Sequence, residues 1–217
     1  MQNILQFLSE LDQNNNAAWF AQQKKQYQQA RGEFVAVCEL ILAQLTVINP
    51  NFAFVKPKDC IFRINRDVRF SANKAPYKNN FGAYFAEGGK KSTKQGYYLH
   101  IQPQQSFLGA GMYDSTPAML YKLRQEVCYE PEKFRTVFNN PIFKQHFPQL
   151  LGNQLKTAPK GYPQAHPQID LLRHTQLYVK CSYADEELSE ADFVDKFISH
   201  SQILQPFLSL LDEAFLF

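Results

Sequence analysis

Four short segments rich in aromatic and β-branched residues constrain the fold of this chain most strongly. "CIFRIN", "FGAYFA", "GYYLHIQ" and "SFLGAGMY" lie between residues 60 and 113 and are separated by clusters of Gly, Pro, Asn and Lys. This composition and punctuation are typical of β-strands. Residues 96–102 and 106–113, joined by "PQQ", indicate a hairpin. With "QLYVKCSY" as a further strand, the sequence predicts an antiparallel sheet of about five strands.

Helical periodicity dominates the chain on either side of these segments. An apolar stripe with 3.6-residue spacing predicts a short first helix and a second helical stretch that begins at Ala17 behind an asparagine cap. Pro117 and Pro131 are placed to open two further helices. Ser189 begins a capping-box pattern for the last helix, which Pro206 is expected to kink or restart.

The element order predicts an α+β fold in which the N-terminal and C-terminal helices pack on the sheet. We expect a single domain over residues 1–217, because the sequence contains no repeat and no clear linker. Its parts are a helical lead-in (1–48), a sheet region (52–113), helices with a proline-rich loop (114–174), and the final strand with the C-terminal helices (175–217).

Composition narrows the functional classes. The chain is 45% hydrophobic and 14% aromatic, which is typical of a globular protein. No apolar run approaches the roughly 20 residues of a membrane span, and the N-terminus has no secretion signal, so we expect a cytoplasmic protein without a membrane partner. The four cysteines lie far apart and form no C-x-x-C pair. We therefore expect no metal site and no cofactor.

Charge is distributed unevenly along the chain. The net charge is only +3, yet residues 56–94 contain ten Lys and Arg against three acids. The remaining residues contain thirteen bases and seventeen acids. Such separation creates a field that attracts anions to one region. A small anionic ligand is the expected partner. Nucleic acid is a weaker expectation because the overall charge is low, and the oligomeric state is left open.

The densest cationic stretch is "IFRINRDVRFSANKAPYKNNFG", residues 61–82, with Arg63, Arg66 and Arg69 at a spacing of three. We expect Arg63 to lie on a strand and the following loop to bring Lys74 and Lys78 back over it. Guanidinium groups grip phosphate or carboxylate in two places, and lysine supplies a movable point charge. The stretch therefore predicts a cradle for an anionic group.

Two alternatives stay open for this cluster. The cations can form an internal ion-pair network, in which Asp67 pairs with Arg63 or Arg69. The chain can also be an enzyme on an anionic substrate, with the arginines as a charge clamp and His100 or Tyr77 as the proton carrier. The sequence contains no nucleophile elbow, phosphate-binding loop or dinucleotide motif, so the binding hypothesis is preferred.

Several stretches resemble a known family. "NNNAAWF", "FRINRDVRFSANKAPYKNNFGAYF", "GYYLHIQP", "GAGMY", "LYKLR" and "PKGYPQAHPQIDLLR" are similar, in this order, to domain of unknown function 2461, found in bacterial and fungal proteins. The resemblance covers residues 3–213 and implies a compact α+β protein without assigning an activity. Ala17 and Ala18 depart from the charged pair common in the family, and Thr175 lies where a lysine is usual.

The proline-framed loop "PKGYPQAHP" adds a cation and a phenol, Lys160 and Tyr162. If the loop folds over the sheet, it completes a pocket with the arginines. Otherwise Tyr162 packs and Lys160 is solvated. The candidate ligand-binding residues are Arg63, Arg66, Arg69, Lys74, Tyr77, Lys78, Lys160 and Tyr162.

Overall fold

A computed structural model describes residues 1–216 of the chain and confirms the α+β class. The strands are β1 (Phe81–Phe85), β2 (Tyr97–Ile101), β3 (Ser106–Met112) and β4 (Leu177–Tyr183). They form one antiparallel sheet in the order β1-β2-β3-β4. The α-helices are α1 (Gln2–Gln13), α2 (Ala17–Gln22), α3 (Lys24–Ile48), α4 (Pro57–Cys60), α5 (Pro117–Tyr129), α6 (Pro131–Asn139), α7 (Pro141–His146), α8 (Ile169–Leu172) and α9 (Phe193–Leu216). No described helix is long and apolar enough to cross a bilayer.

The prediction of about five strands was wrong by one, because "CIFRIN" is not a strand. In this segment only Ile61 and Asn65, among the described residues, form isolated antiparallel bridges. Ile61 and Ile64 are buried while the two residues between them are exposed. A spacing of three does not match the two-residue period of a strand. The amide of Arg66 donates to the carbonyl of Pro76 (2.9 Å), but Pro76 has no N–H to return the bond, so the ladder ends there.

The helix starts predicted at Ala17 and Pro117 are confirmed, each with a side-chain cap. The side chain of Asn16 accepts a hydrogen bond from the amide of Trp19 (2.9 Å), and α2 begins at Ala17. The hydroxyl of Thr116 accepts from the amide of Met119 (3.2 Å) ahead of Pro117. Both bonds satisfy amides that have no partner inside the helix.

The expected start of the last helix at Ser189 was wrong. Ser189 closes a short 3₁₀ turn, in which its amide donates to the carbonyl of Glu186 (3.0 Å). Because the chain makes this turn first, α9 begins only at Phe193 and then continues through Pro206 without a restart.

The described chain divides into two compact units. The first comprises residues 1–93, 97–108 and 182–199, and the second comprises 94–96, 109–181 and 200–217. The expectation of a single domain stays a prediction. The predicted range 175–217 ends at Phe217, which lies outside the described residues.

Aromatic side chains form the core of the first unit. The rings of Phe34 and Phe7 lie 5.3 and 6.3 Å from that of Phe81, so α1 and α3 pack on β1. Phe85 contacts Phe197 at 5.9 Å. Each such buried ring contributes about 1.5–3 kcal/mol relative to an exposed one. This core fixes β1, the strand that follows the cationic stretch.

The second unit has its own aromatic core and a close backbone approach. The ring of Phe207 lies 5.7 Å from Phe138 and 6.0 Å from Phe143. Gly111 has φ of 119°, and a Cβ there would lie 2.5 Å from the carbonyl oxygen of Leu177. Only glycine fits this position, where β3 approaches β4.

Candidate functional site

The loop of residues 66–76 uses the guanidinium of Arg66 to hold itself together. That group donates to the carbonyl oxygen of Ala75 (3.2 Å) and to the hydroxyl of Ser71 (3.3 Å). Both acceptors belong to the loop, and the Arg66 amide closes its base through Pro76. Arg66 therefore has a structural task that the sequence did not reveal.

Two further cations of this loop are also engaged within it. Arg69 donates twice to the carboxylate of Asp67, at 3.0 and 2.7 Å, and this hydrogen bonding lowers the pKa of Asp67. The ammonium of Lys74 donates to the carbonyl of Val68 (3.0 Å). Of the three loop cations, Arg69 pairs with an acid, whereas Arg66 and Lys74 donate to uncharged groups.

Tyr77 is anchored on the N-terminal helices. Its amide donates to the side chain of Asn15 (3.1 Å), whose amide group donates back to the Tyr77 carbonyl (3.0 Å). Its ring stacks on Phe20 with centroids 4.0 Å apart. Tyr77 therefore positions residues 77–80, the arm that leads from the loop to β1.

Arg63 and Lys78 differ from the loop cations. The exposed guanidinium of Arg63 makes no hydrogen bond or ion pair with another described side chain or backbone group. The ammonium of Lys78 lies 5.4 Å from the centroid of the Phe62 ring. Partial burial, and then the charge of Arg63, lowers the pKa of Lys78. The amide of Lys78 donates to the carbonyl of Ile64 (2.8 Å), which places it beside the Arg63 segment.

Arg63 lines a hollow of about 490 Å³ that we call the cationic hollow. Its lining residues are Arg31, Ile61, Phe62, Arg63, Lys90 and Lys91. Four of the six are cations and none carries a carboxylate. Arg31 comes from α3, and the two lysines come from the 3₁₀ turn that follows β1. All of these residues belong to the first unit.

The turn that supplies the lysines has an unusual backbone. Gly88 and Gly89 have φ of 85° and 77°, and a Cβ on Gly89 would lie 2.7 Å from the carbonyl oxygen of Asp59. The ammonium of Lys90 donates to the carbonyls of Lys58 (2.9 Å) and Asp59 (3.3 Å). Glycine thus permits the close approach that holds Lys90 against the end of α4.

A second hollow in the first unit, of about 430 Å³, has a different chemistry. We call it the polar cleft. Its lining residues are Asp12, Asn15, Arg66, Asn73, Ala75, Tyr77, Lys78, Asn79 and Asn80. The amide of Asn79 donates to the carboxylate of Asp12 (3.0 Å). This cleft contains an acid as well as cations, so it is a poorer match for an anion.

The other candidate residues have neighbours of their own. Tyr162, in the second unit, meets His166 edge-on at 6.1 Å, and burial raises its pKa; Lys160 is exposed. On β2, His100 Nε2 donates to Gln102 Oε1 (2.9 Å) and its ring stacks on Phe107 (4.7 Å). His100 is thus built into the sheet.

Comparison with known protein families agrees with the resemblance seen in the sequence. The family model described as "Conserved hypothetical protein (DUF2461)" matches residues 3–209. The chain belongs to this family. No curated protein and no solved structure matches the chain.

The cationic hollow of this DUF2461 member contains three residues that the sequence reasoning missed: Arg31, Lys90 and Lys91. The consecutive glycines before the lysines were an available signal, since Gly-Gly marks a turn that can bring cations close to other backbone. No sequence pattern marked Arg31, because the side of the hollow on which this part of α3 lies is determined by tertiary packing. Among residues 1–216, no group of three or more His, Cys, Asp or Glu is placed to hold a metal ion.

Proposed function

We propose that this protein binds an anionic ligand, bearing phosphate or carboxylate groups, at the cationic hollow. The observation that carries the proposal is the lining itself, with four cations and no carboxylate. Arg63 is the central contact because its exposed guanidinium makes no hydrogen bond or ion pair with the described residues, although its charge helps to lower the pKa of Asp67. Lys78 adds a nearby positive charge, with its ammonium 5.4 Å from the centroid of the Phe62 ring that lines the hollow.

Electrostatics explains why such a surface favours an anion. Like charges held close together disfavour each other's charged forms. The pKa of Lys78 is lowered mainly by burial and in smaller part by this repulsion from Arg63. An anion between the cations relieves it and gains charge-assisted hydrogen bonds. Arg66, Arg69 and Lys74 are not among the proposed contacts, since loop groups already occupy them.

The enzymatic alternative has less support. Tyr77 packs on Phe20 through its ring, and His100 bonds to Gln102 within the sheet. Neither Tyr77 nor His100 lines the cationic hollow that contains Arg63. Binding is therefore the function that the geometry supports best.

Thermal denaturation with phosphate, sulfate, citrate, nucleotides and short oligonucleotides tests the proposal. A ligand at one hundred times its Kd adds about 2.7 kcal/mol, and each kcal/mol raises Tm by roughly 2–4 °C for a chain of this size. We expect at least one anion to raise Tm, with a smaller rise at high salt because screening weakens the attraction.

The matched pair Arg63→Gln and Arg69→Gln locates the binding. Each change removes one exposed guanidinium from the same stretch, but Arg69 is already paired with Asp67. We expect Arg63→Gln to abolish the anion-dependent rise and Arg69→Gln to retain it. The proposal fails if no anion raises Tm, or if both variants lose the rise equally.

A further inference from the structure

The number of uncommitted cations in the cationic hollow narrows the ligand class. Arg31, Arg63 and Lys91 make no side-chain hydrogen bond or ion pair with another residue of the described chain. Lys90 donates to two backbone carbonyls. Carbonyl oxygens carry no net charge, so the positive charge of Lys90 is held in place and stays uncompensated by them. The hollow thus presents up to four positive charges from three separate parts of the chain.

This count exceeds what a single small anion neutralises. A carboxylate carries one negative charge, and a phosphate monoester carries about 1.5 to 2 at pH 7. Either would leave at least two of the four lining cations without a counter-charge. Each further phosphate in a chain adds about one negative charge and two non-bridging oxygens, which accept hydrogen bonds from the arginines and the lysine.

We propose that the cationic hollow binds a chain of two or three phosphates, which rests on the anion-binding function proposed above. The volume of about 490 Å³ lies within the range of about 300–1,000 Å³ typical of small-molecule sites. Arg63 and Arg31 grip non-bridging oxygens in two places each, and Lys91 contacts a neighbouring phosphate as a point charge. Lys90 supplies fixed positive charge at the wall.

Phe62 adds an apolar surface to the same lining. This residue is 37% exposed, and Lys78 lies over its ring. Two sources of a phosphate chain fit these residues: an inorganic polyphosphate, or a nucleotide whose base contacts Phe62. Both share the phosphate chain on which the inference depends.

Calorimetric titration of the full chain at fixed ionic strength tests the inference with orthophosphate, pyrophosphate, tripolyphosphate and a nucleoside triphosphate. One extra charge-assisted contact is worth roughly 1.5–3 kcal/mol, which corresponds to at least about a tenfold gain in affinity. We expect pyrophosphate and tripolyphosphate to bind at least about tenfold tighter than orthophosphate. Tighter binding of the nucleotide than of tripolyphosphate, lost in Phe62→Ala, would identify a nucleotide as the source.

Matched variants on one helix and one turn complete the test. Arg31→Gln and Lys91→Gln should weaken tripolyphosphate by at least about tenfold each and orthophosphate less. Lys25→Gln, which removes a charge from an exposed position of α3 outside the lining, should leave both unchanged. The unliganded Tm of each variant reports its folding.

The outcomes separate the two proposals. If all phosphates bind equally and Arg63→Gln abolishes their binding, the hollow is a general anion site and the polyphosphate inference is overturned. The inference is likewise overturned if Arg31→Gln and Lys91→Gln bind tripolyphosphate as the unmodified protein does. If no phosphate binds, the polyphosphate inference is overturned, and the anion-binding proposal falls with it only if citrate and sulfate also leave Tm unchanged.

Discussion

The loop of residues 66–76 and the cationic hollow are both rich in Lys and Arg, yet their cations have different surroundings. In the loop, Arg66 and Lys74 donate to loop carbonyls and Arg69 pairs with Asp67. In the hollow, only Lys90 is tied to the backbone, and its lining contains no acid. The loop cations stabilise the conformation of the loop, whereas the cations of the hollow face solvent.

The difference follows from chain geometry. A tight loop brings its own carbonyls within reach of long side chains, so cations there find acceptors locally. In the hollow, Arg31, Arg63 and the lysines come from a helix, an extended segment and a turn that are distant in sequence. The side chains of Arg31, Arg63 and Lys91 make no hydrogen bond to a carbonyl of the described chain, and Lys90 reaches only those of Lys58 and Asp59. Charge density in sequence therefore does not by itself mark a site.

Gly89→Ala should have the largest effect, because it breaks the wall of the hollow. The substitution forces a side chain into a left-handed position, at a cost of about 1–3 kcal/mol. Its Cβ also displaces the Asp59 carbonyl that Lys90 contacts. We expect a lower Tm by thermal denaturation together with weaker anion binding.

Substitutions at two other glycines serve as controls for the loss of Tm expected in Gly89→Ala. Gly161 has φ of 91° but open space around its Cβ position, so Gly161→Ala should cost only the backbone strain. Gly32 lies in α3 with nothing within 4 Å, so Gly32→Ala should stabilise the protein by roughly 0.5–1 kcal/mol. An equal loss of Tm in all three variants would contradict the assigned role of Gly89.

Arg66→Ala should have the next largest effect, and on the loop alone. It removes hydrogen bonds from a charged donor to Ala75 and Ser71, and such bonds contribute about 1.5–3 kcal/mol. We expect a fall in Tm of several degrees while the affinity for phosphate at the hollow changes little. A variant with unchanged Tm and abolished binding would reverse the assignment of Arg66.

A pH titration should reveal a smaller effect at Lys78. Its pKa is lowered from 10.5 by burial and by Arg63, so it loses its proton at a lower pH than an ordinary lysine. Anion affinity should fall as the pH rises through that lowered value. The unliganded protein should behave oppositely: between the lowered pKa and 10.5 the unfolded chain binds more protons, so Lys78 adds to stability as the pH rises.

Lys78→Gln isolates this titration from other groups. Burial raises the pKa of Tyr97 to about 12, which removes stability at alkaline pH in both proteins. Because Tyr97 is present in both proteins, its titration affects both in the same way, and the difference between their affinity profiles reports the titration of Lys78. Parallel affinity profiles up to pH 10.5, the ordinary pKa of lysine, would show that its ammonium contributes nothing to binding.

Arg69→Ala should have the smallest effect. The Arg69–Asp67 pair is exposed on both sides, and exposed ion pairs contribute little to stability. We expect neither Tm nor anion affinity to change measurably. A clear loss of affinity would mean that Arg69 leaves Asp67 to contact the ligand, which would merge the two regions contrasted above.

Much of the fold was predictable because its signals are local. The cap at Asn16, the prolines at the starts of α5 and α6, and the four strands each depend on a few neighbouring residues. The segment around Ile61 was wrongly predicted as a strand because its composition is typical of one. Its actual pairing, a single bridge from Ile61 to Ala83, depends on β1, which is distant in sequence. Ser189 misled because a turn competed for its backbone.

The site was predictable only in part. The sequence placed Arg63 and Lys78 near each other, since a loop has to return from one to the other. It did not distinguish them from Arg66. Whether a guanidinium reaches a loop carbonyl or faces a hollow depends on the side-chain conformation, which the sequence does not specify. Arg31 joins through helix packing, which no motif within the cationic stretch encodes.

The double hydrogen bond between Asn15 and the backbone of Tyr77 has a practical consequence. The asparagine amide takes the place of a neighbouring strand for one residue, so the arm bearing Lys78 depends on the turn between α1 and α2. A truncated protein that begins after Phe20 would leave two backbone groups of that arm without partners. Expression designs for ligand screening should therefore retain the amino-terminal twenty residues and place any affinity tag at the other end.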